Sequence, residues 1–250
     1  MIELRGVRKR FGRHIVLDGV DFAVADGETV ALLGPSGTGK SVLLKHIIGL
    51  LKPDGGDVLV DGLSVPALRR GDLANLRKRI GYAFQTGALF DSVSVFENIR
   101  LGIGEESCYR DLGACRDRVA ECLRLVNLPD DVGKLMPVQL SGGMRKRVGI
   151  ARAIAGNPKY LLYDEPTSGL DPVNADVMDA LIESLQKELR VTSVVVSHDV
   201  RGSFKVADRI ALLDQGRIRA VGTPEEFMAA KDSVVREFLE RDFRFEEMED

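Results

Sequence analysis

A glycine-rich stretch early in the chain combines the residue types that hold a polyphosphate. It fits the pattern G-x-x-x-x-G-K-[ST], known as the P-loop motif. Its members are Gly34, Pro35, Ser36, Gly37, Thr38, Gly39, Lys40 and Ser41. Glycines allow successive backbone N–H groups to face phosphate oxygens, and a following helix adds the positive end of its dipole. We expect Lys40 to reach the β- and γ-phosphates and the Ser41 hydroxyl to ligate Mg²⁺.

The segments on either side of this stretch favour the same interpretation. Residues Thr29–Leu33 form an apolar run typical of a buried strand. The residues after Ser41 predict a helix that ends at about Leu51, just before Lys52 and Pro53. The alternative is a glycine-rich turn that only joins a strand to a helix. Glycine, lysine and serine in their required places, between a strand and a helix, favour phosphate binding.

Two adjacent carboxylates, Asp164 and Glu165, carry the chemistry that a phosphate-binding loop alone lacks. They end an apolar run, residues 159–163. We expect Asp164 to hold Mg²⁺ and Glu165 to orient and deprotonate an attacking water. A general base of this kind contributes about 10²–10⁴-fold to a rate. The alternative is a solvated turn, and the preceding strand and the P-loop argue against it.

A second candidate anion site lies at the start of another predicted helix. Ser141, Gly142 and Gly143 precede a helical segment, so their backbone N–H groups meet the same requirement as the P-loop. One triphosphate needs only one such cradle from a single chain. Two cradles therefore indicate that each nucleotide is held from two sides, by two copies of the chain.

The composition sets limits on the partners of the protein. Its 250 residues, 44% of them hydrophobic, suffice for a sizeable core. Lys and Arg number 35 against 38 Asp and Glu, a net charge of −3 that argues against a dominant grip on nucleic acid or acidic lipid. No apolar run approaches the roughly 18–20 residues that span a bilayer, and the N-terminus lacks the apolar core of a signal peptide. Any membrane role would therefore depend on a partner.

The order of elements predicts an α/β fold. Residues 2–24 predict short antiparallel strands, and residues 86–145 lack β-branched runs and predict an inserted α-helical subdomain. An amphipathic stripe within that subdomain contains Leu112, Cys115, Val119, Cys122, Leu123 and Val126. We expect the three cysteines, Cys108, Cys115 and Cys122, to be reduced and packed on one helix face rather than to bind a metal. A last helix is expected to end at Leu239, followed by a tail, residues 240–250.

These motifs, in this order and approximate spacing, resemble the ATP-binding subunits of ABC transporters. The resemblance covers residues 1–239, nearly the whole chain, and the joint presence of the P-loop and Leu-Ser-Gly-Gly is highly specific. It implies a P-loop NTPase (RecA-like) core with an N-terminal antiparallel β subdomain and an inserted helical subdomain. In that family two subunits meet head to tail and bury two ATP molecules, with the P-loop of one facing the Ser-Gly-Gly of the other.

The resemblance also implies roles for residues that would be weak signals alone. Phe11 would stack on adenine, although an exposed phenylalanine in a strand more often only packs. Gln85 would ligate Mg²⁺ and sense the membrane partner, and Asp171 would bridge the two subunits. Ser141 and Gly143 would donate to the γ-phosphate across the interface. His198, which alone would be read as structural, would contact the γ-phosphate.

The chain departs from the family pattern at two positions, and a third residue is unexplained. The family often has tyrosine where Phe11 stands, so stacking is retained without the hydroxyl. The signature often ends in glutamine where this chain has Met144; we expect hydrolysis to survive because Ser141 and Gly143 are present. Tyr163 interrupts an otherwise aliphatic strand, and the sequence offers no physical reason for it.

A narrower resemblance is to the ATPase of Mla-type phospholipid transporters, which work with MCE-domain proteins. Residues 84–92 and 95–98 carry it, together with the segment 140–147. It implies a second copy of the chain, an integral membrane permease, an MCE-domain lipid-binding protein and a small STAS-type regulatory subunit as partners, at the cytoplasmic face of the inner membrane. A C-terminal extension can embrace the neighbouring subunit there, and Phe243 and Phe245 would suit that contact; the alternative is a frayed tail.

Two other classes of function remain as alternatives. Soluble ABC ATPases that act on nucleic acid or the ribosome typically have long coiled-coil insertions or two ATPase units, and this sequence has neither. A regulatory nucleotide-binding module without catalysis is the other, and the presence of Lys40, Asp164, Glu165 and His198 argues against it. An ABC transporter ATPase for a substrate other than lipid also stays open.

Overall fold

Short apolar runs fold into strands, and the amphipathic segments between them fold into helices. This computed structural model describes residues 1–104, 108 and 111–246, with 241–246 described by their backbone alone. The strands are β1 (Ile2–Phe11), β2 (His14–Val24), β3 (Thr29–Leu33), β4 (Gly55–Val60), β5 (Leu63–Ser64), β6 (Ile80–Ala83), β7 (Tyr160–Asp164), β8 (Thr192–Val196), β9 (Arg209–Asp214) and β10 (Arg217–Gly222). The α-helices are α1 (Lys40–Ile47), α2 (Arg70–Arg77), α3 (Val95–Ile103), α4 (Leu112–Leu125), α5 (Gly142–Ile154), α6 (Pro172–Leu189), α7 (Val200–Val206), α8 (Pro224–Met228) and α9 (Ser233–Glu246).

The chain divides into two compact units. The first contains Met1–Ala74 and Thr192–Asp250, and the second contains Asn75–Val191. The predicted helical segment, residues 86–145, therefore shares its unit with strands β6 and β7 and helix α6. No helix among the described residues is both long and apolar enough to pass through a bilayer.

The first unit contains an antiparallel sheet and the strand that carries the P-loop. The antiparallel sheet has the order β2-β1-β4-β5, which confirms the predicted N-terminal antiparallel strands. In the other sheet of this unit β3 lies between parallel β8 and β9, and β10 pairs antiparallel with β9. Every residue of β3 is buried, as its apolar sequence predicts. Parallel strands bring their carboxyl ends to the same edge, where ligands bind in α/β sheets.

Helix α1 is shorter than the sequence predicts. It ends at Ile47 rather than at about Leu51, because Gly49 adopts a left-handed φ of 67°. That conformation turns the chain so that Leu50 N–H donates to the carbonyl oxygen of Lys45 at 2.8 Å, which satisfies the end of the helix.

The last helix packs beneath the P-loop strand within the first unit. Val235 and Leu239 belong to one buried cluster with Ala31 and Leu33 of β3. Helix α9 continues to Glu246, past the predicted end at Leu239, so the segment 240–246 has a helical backbone rather than the form of a tail. The side chains of Phe243 and Phe245 and all of residues 247–250 lie outside the described part of the chain, so their contact with a partner stays a prediction.

In the second unit helix α5 packs on strand β6, and the helices of the predicted helical segment pack on α5. Strands β6 and β7 pair in parallel, with Ala83 opposite Tyr163. Helix α5 approaches β6 so closely that a Cβ on Gly81 would collide with the carbonyl oxygen of Ala153. Helices α3 and α4 each contact α5. The position of β6, and of the residues that follow it, is therefore coupled to α5.

The cysteines do not all have the state that the sequence predicts. Cys108 and Cys115 form a disulfide with their Cα atoms 5.1 Å apart, whereas Cys122 is free and buried. A continuous helix would separate residues seven positions apart by about 10 Å. Helix α4 begins only at Leu112, after its N-cap Asp111, so Cys108 precedes it and approaches Cys115. Burial raises the pKa of the Cys122 thiol to about 11.

The predicted stripe of α4 is otherwise largely confirmed. Cys115, Val119, Cys122 and Leu123 are buried on this helix. Leu112, at its first position, is 59% exposed and does not join them. The stripe therefore begins one turn later than the residue spacing indicates.

Candidate functional site

Two glycines of the P-loop lie so close to neighbouring strands that no side chain would fit at either position. Gly34 leaves β3, and a Cβ there would collide with the carbonyl oxygen of Leu213. Gly39 adopts a φ of 104°, and a Cβ there would lie 2.8 Å from Cγ1 of Val16. The backbone of the loop is thus in direct contact with β2 and β9, and glycine is required by both conformation and space.

The side chains of the loop stabilise its turn from within. Lys40 is 5% exposed and donates from Nζ to the carbonyl oxygens of Gly34 at 2.7 Å and Pro35 at 3.1 Å. Thr38 donates from Oγ1 to Pro35 O at 2.8 Å. Lys40 and half-buried Ser41 open helix α1, whose N-cap Gly39 has no side chain to shield the first N–H groups, and the first turn has no acidic residue. The positive end of the helix is therefore presented together with the lysine charge.

Phe11 lies at the end of β1, where the chain turns into β2. Its ring is 48% exposed, and the Lys9 ammonium lies 5.5 Å from the ring centroid. Val16, on the strand that begins just after this turn, is the residue that meets Gly39. The hairpin that carries Phe11 is thus joined to the P-loop by a side-chain contact, which suits the predicted stacking of Phe11 on a base.

His198 lies two residues beyond β8, at the same edge of the sheet as the P-loop. Val196 pairs with Leu32 of β3, and Ser197 N–H donates to Leu32 O at 3.2 Å. His198 is exposed, and the following residue, Asp199, caps helix α7 by accepting from Gly202 N–H at 3.0 Å. The first unit therefore brings His198 to the edge from which the P-loop leaves β3.

In the second unit Gln85 follows the parallel strand β6. Its side chain is exposed and donates from Nε2 to the Ser168 hydroxyl at 3.2 Å. Ser168 belongs to the loop that follows Asp164 and Glu165. Because β6 and β7 are parallel neighbours, Gln85 and the two carboxylates lie at one edge of this pair of strands.

The Asp164 carboxylate is held by a tyrosine that the sequence did not single out. Tyr82 of β6 donates from its hydroxyl to Asp164 Oδ2 at 2.9 Å, and both residues are buried. Burial, and then the negative charge and hydrogen bond of Asp164, raise the pKa of Tyr82, so the phenol stays protonated and able to donate. Tyr163, which the sequence left unexplained, is 1% exposed, and its hydroxyl has no hydrogen-bond partner among the described residues.

Glu165 has an unusual backbone conformation for a glutamate. Its φ is 52°, in the left-handed region that residues other than glycine rarely occupy. Lys146 of helix α5 donates from Nζ to the Glu165 carbonyl oxygen at 3.1 Å. Burial lowers the pKa of Lys146, and the charge of Glu165 opposes that shift. Strained residues of this kind cluster at functional sites, where neighbouring contacts hold them in place.

The Ser-Gly-Gly turn is the N-terminus of helix α5. The Ser141 hydroxyl caps the helix by accepting from Met144 N–H at 3.2 Å. A Cβ on Gly142 would meet nothing within 4 Å, so the first turn has room beside it for a ligand. Met144 enters the cap through its backbone, which explains why a methionine can replace the usual glutamine without loss of the turn.

Asp171 is linked to the Ser-Gly-Gly turn by Asn174. It is exposed and caps helix α6, accepting from the backbone and side-chain nitrogens of Asn174 at 3.1 and 2.6 Å. Those hydrogen bonds, that of the side chain first, lower the pKa of Asp171. Asn174 Oδ1 in turn lies 3.7 Å from the position of a Cβ on Gly143. The structure therefore brings Asp171 and the Ser-Gly-Gly turn together.

The residues present fit ATP and Mg²⁺. The start of helix α1 and the Lys40 ammonium suit the phosphates of ATP, and Ser41, Gln85 and Asp164 have side-chain oxygens of the kind that Mg²⁺ prefers. No group of three or more His, Cys, Asp or Glu residues in the described part of the chain could by itself hold a metal ion.

Sequence reasoning missed three residues of these arrangements, namely Val16, Tyr82 and Lys146. Each acts through a residue distant in the sequence. Lys146 lies in the segment 140–147 that carries the narrower resemblance, but that resemblance gave it no role of its own. The signal available for Tyr82 was its position in the strand before Gln85, which becomes meaningful only once the register with β7 is known.

These features define an ATP-binding cassette, and comparison with known proteins agrees. Residues 17–168 match the model of the ABC transporter family. The chain belongs to this family, and its fold is the α/β P-loop NTPase fold predicted from the sequence.

Three relatives place the chain within the family. It is 39% identical over 238 residues, 95% of this chain and 68% of the relative, to the probable ribonucleotide transport ATP-binding protein mkl of Mycobacterium leprae. It is 38% identical over 239 residues, 96% of this chain and 90% of the relative, to the intermembrane phospholipid transport system ATP-binding protein MlaF of Haemophilus influenzae. A dimeric, post-hydrolysis structure of the ATP-binding cassette MJ0796 with ADP and Pi superposes with a TM-score of 0.80, at 33% identity, over 90% of this chain and 99% of that one. The predicted resemblance to Mla-type ATPases is confirmed.

Proposed function

We propose that this chain is the Mg²⁺-dependent ATPase subunit of a transporter that moves phospholipid between membranes, and that it works as a pair of copies. The observation that carries the proposal is the presence of two helix starts suited to phosphate. One is the P-loop before α1 in the first unit, and the other is the Ser-Gly-Gly turn before α5 in the second. The dimeric relative bound to ADP and Pi supports the pairing.

In this proposal each predicted residue has a distinct task. Lys40 and the N–H groups of the P-loop bind the phosphates, and Phe11 stacks on the base. Glu165 accepts the proton of the attacking water, while His198 contacts the γ-phosphate. The magnesium ligands are Ser41, Gln85 and Asp164. Ser141, Gly142 and Gly143 face the nucleotide of the partner copy, and Asp171 bridges the two copies. Bound Mg²⁺ supplies positive charge that offsets the charge developing on the phosphates.

The segment after Gln85 supports a membrane partner. Phe84 and Phe90 are 38% and 57% exposed, so two aromatic rings flank Gln85 and its loop on the surface. Exposed aromatic residues of this kind are typical of protein interfaces. We propose a permease as the partner, at the cytoplasmic face of the inner membrane, with an MCE-domain protein and a small STAS-type subunit in the same assembly.

A non-lipid substrate is the second candidate, because the relative named for ribonucleotide transport is as similar as the one named for phospholipid transport. Purification of the tagged chain from membranes in mild detergent, followed by mass spectrometry of proteins and lipids, separates the candidates. We expect an integral membrane protein, two copies of this chain and bound phospholipid. Co-purification with nucleic acid or ribosomes would refute the transporter proposal, and ATPase stimulation of the reconstituted assembly by ribonucleotides but not by phospholipid would refute the lipid substrate.

A further inference from the structure

Two tyrosines lie near Asp164, one in the neighbouring strand and one directly before it in the sequence. Tyr82 belongs to the neighbouring strand β6 and reaches Asp164 Oδ2 with its hydroxyl at 2.9 Å. Tyr163 directly precedes Asp164 in β7 and makes no hydrogen bond with its hydroxyl to any described residue. The two phenols are both buried, at 7% and 1% exposure.

The register of the parallel strands explains this difference. Tyr82 lies opposite Leu162, two residues before Asp164. Because successive side chains of a strand point to opposite faces, Leu162, Asp164 and Tyr82 share one face of the pair. Tyr163 points to the other face. Of the two tyrosines, Tyr82 is therefore the one placed to donate to the carboxylate, and this follows from backbone register rather than from side-chain flexibility.

A buried hydrogen bond of this length restricts the carboxylate strongly. A hydrogen bond to a charged acceptor is stronger than one between neutral groups, and a buried acceptor that loses its donor retains its desolvation penalty. Removal of a residue that orients a metal-binding side chain typically lowers metal affinity or activity about 10–100-fold.

We propose that Tyr82 is a positioning residue for Asp164, and that its hydroxyl fixes the orientation in which this carboxylate meets Mg²⁺. The inference rests on the proposed role of Asp164 as a magnesium ligand. It adds a residue of strand β6 to a site that the sequence motifs confine to the P-loop, Gln85 and the end of β7.

The test compares Tyr82→Phe with Tyr163→Phe. Each substitution removes one buried hydroxyl, and the two residues lie on adjacent strands. Binding of the non-hydrolysable analogue AMP-PNP is measured by calorimetry at a series of Mg²⁺ concentrations and in EDTA. For Tyr82→Phe we expect the Mg²⁺ concentration for half-maximal enhancement of binding to rise about tenfold. Affinity in EDTA should stay within about twofold of the wild type, which also shows that the variant is folded. Tyr163→Phe should match the wild type in both conditions.

A third variant, Asp164→Asn, separates failure of this inference from failure of the proposed function. If Asp164→Asn weakens the Mg²⁺ dependence while Tyr82→Phe behaves as Tyr163→Phe does, the positioning role of Tyr82 is refuted and the metal site stands. Loss of binding by Tyr82→Phe to the same extent with Mg²⁺ and with EDTA would also refute it, because that pattern indicates a general structural role. An unchanged Mg²⁺ dependence in Asp164→Asn would overturn both the metal site and the inference.

Discussion

Arg152 and Gly87 join the helix of the Ser-Gly-Gly turn to the segment after Gln85. Arg152 of α5 donates from Nη2 to the Gly87 carbonyl oxygen at 2.9 Å, and from Nη1 to Ala88 O at the same distance. Gly149, one turn earlier on α5, brings the two backbones so close that a Cβ on it would lie 2.9 Å from Gly87 Cα. These contacts hold the segment after Gln85 against helix α5, so we expect the two to move together.

Replacement of Arg152 by alanine should loosen this connection. The variant loses two charge-assisted hydrogen bonds, each of which contributes about 1.5–3 kcal/mol. We expect amide hydrogen exchange in residues 87–92 to become at least about tenfold faster, since local opening free energy sets that rate. Arg118→Ala is the matched control, because Arg118 of α4 also donates to two backbone carbonyls, Ile154 O at 2.7 Å and Ala155 O at 3.0 Å. These bonds lie at the same C-terminal end of α5 but join it to α4 rather than to residues 87–92. Equal exchange in the two variants would contradict the coupling.

Replacement of Glu165 by glutamine should separate binding from hydrolysis. Glutamine keeps the size of the side chain but cannot accept the proton of a water molecule, so ATP turnover should fall at least about a hundredfold. ATP binding and ATP-driven pairing should persist, because the Lys146 bond reaches the backbone carbonyl of Glu165 rather than its carboxylate. Phosphate release and size-exclusion chromatography with ATP provide the two measurements. Glu188→Gln on helix α6 is the control, and near-normal turnover in Glu165→Gln would exclude Glu165 as the base.

The sequence is most informative about helices and strands whose ends are marked by residues close together in the chain. The P-loop lies between β3 and α1 as expected. Two helix starts have the same local character, since Pro172 opens helix α6 behind its cap Asp171, and Thr223 and Glu226 form a reciprocal cap at the start of α8. In each case the determining residues lie within a few positions of one another, so a single chain segment contains the whole signal.

Contacts between distant segments could not be predicted in the same way. Tyr82 and Asp164 are 82 positions apart, and Arg152 and Gly87 are 65 apart. Both contacts depend on the register of parallel strands or on helix packing, which the sequence alone leaves undetermined. The disulfide between Cys108 and Cys115 was mispredicted for a related reason, since helical spacing was assumed across a position where α4 has not yet begun.

Replacement of Lys40 by alanine should weaken nucleotide binding itself. The substitution removes the ammonium that is presented with the N-terminus of α1, and it leaves Gly34 O and Pro35 O without this donor. A charged hydrogen-bond donor contributes about 1.5–3 kcal/mol, so ATP affinity should fall about ten- to a hundredfold. Calorimetry with AMP-PNP measures the change, and Lys45→Ala, on the same helix, is the control. An unchanged affinity in Lys40→Ala would count against the P-loop assignment.

Replacement of Gly39 by alanine should destabilise the fold for two separable reasons. Its φ of 104° is unfavourable for alanine, and the new Cβ would lie 2.8 Å from Val16 Cγ1. Backbone strain and overpacking each cost about 1–3 kcal/mol, so the free energy of unfolding should fall by about 2 kcal/mol or more. Gly37→Ala, at a φ of 80° with nothing within 4 Å of its Cβ, should show the backbone cost alone.

The contact between Val16 and Gly39 can be isolated by a double-mutant cycle. Val16→Ala removes Cγ1, the atom nearest to the Cβ of Gly39→Ala, and leaves Leu17 Cδ2 and Val16 O at 3.1 Å. The double variant should therefore be less destabilised than the sum of the two single variants by about 1 kcal/mol. Urea unfolding of the four proteins gives this coupling free energy. If the two effects added to within about 0.5 kcal/mol, β2 would not restrain the P-loop through Val16, and the hairpin that carries Phe11 would lose its direct link to the phosphate-binding loop.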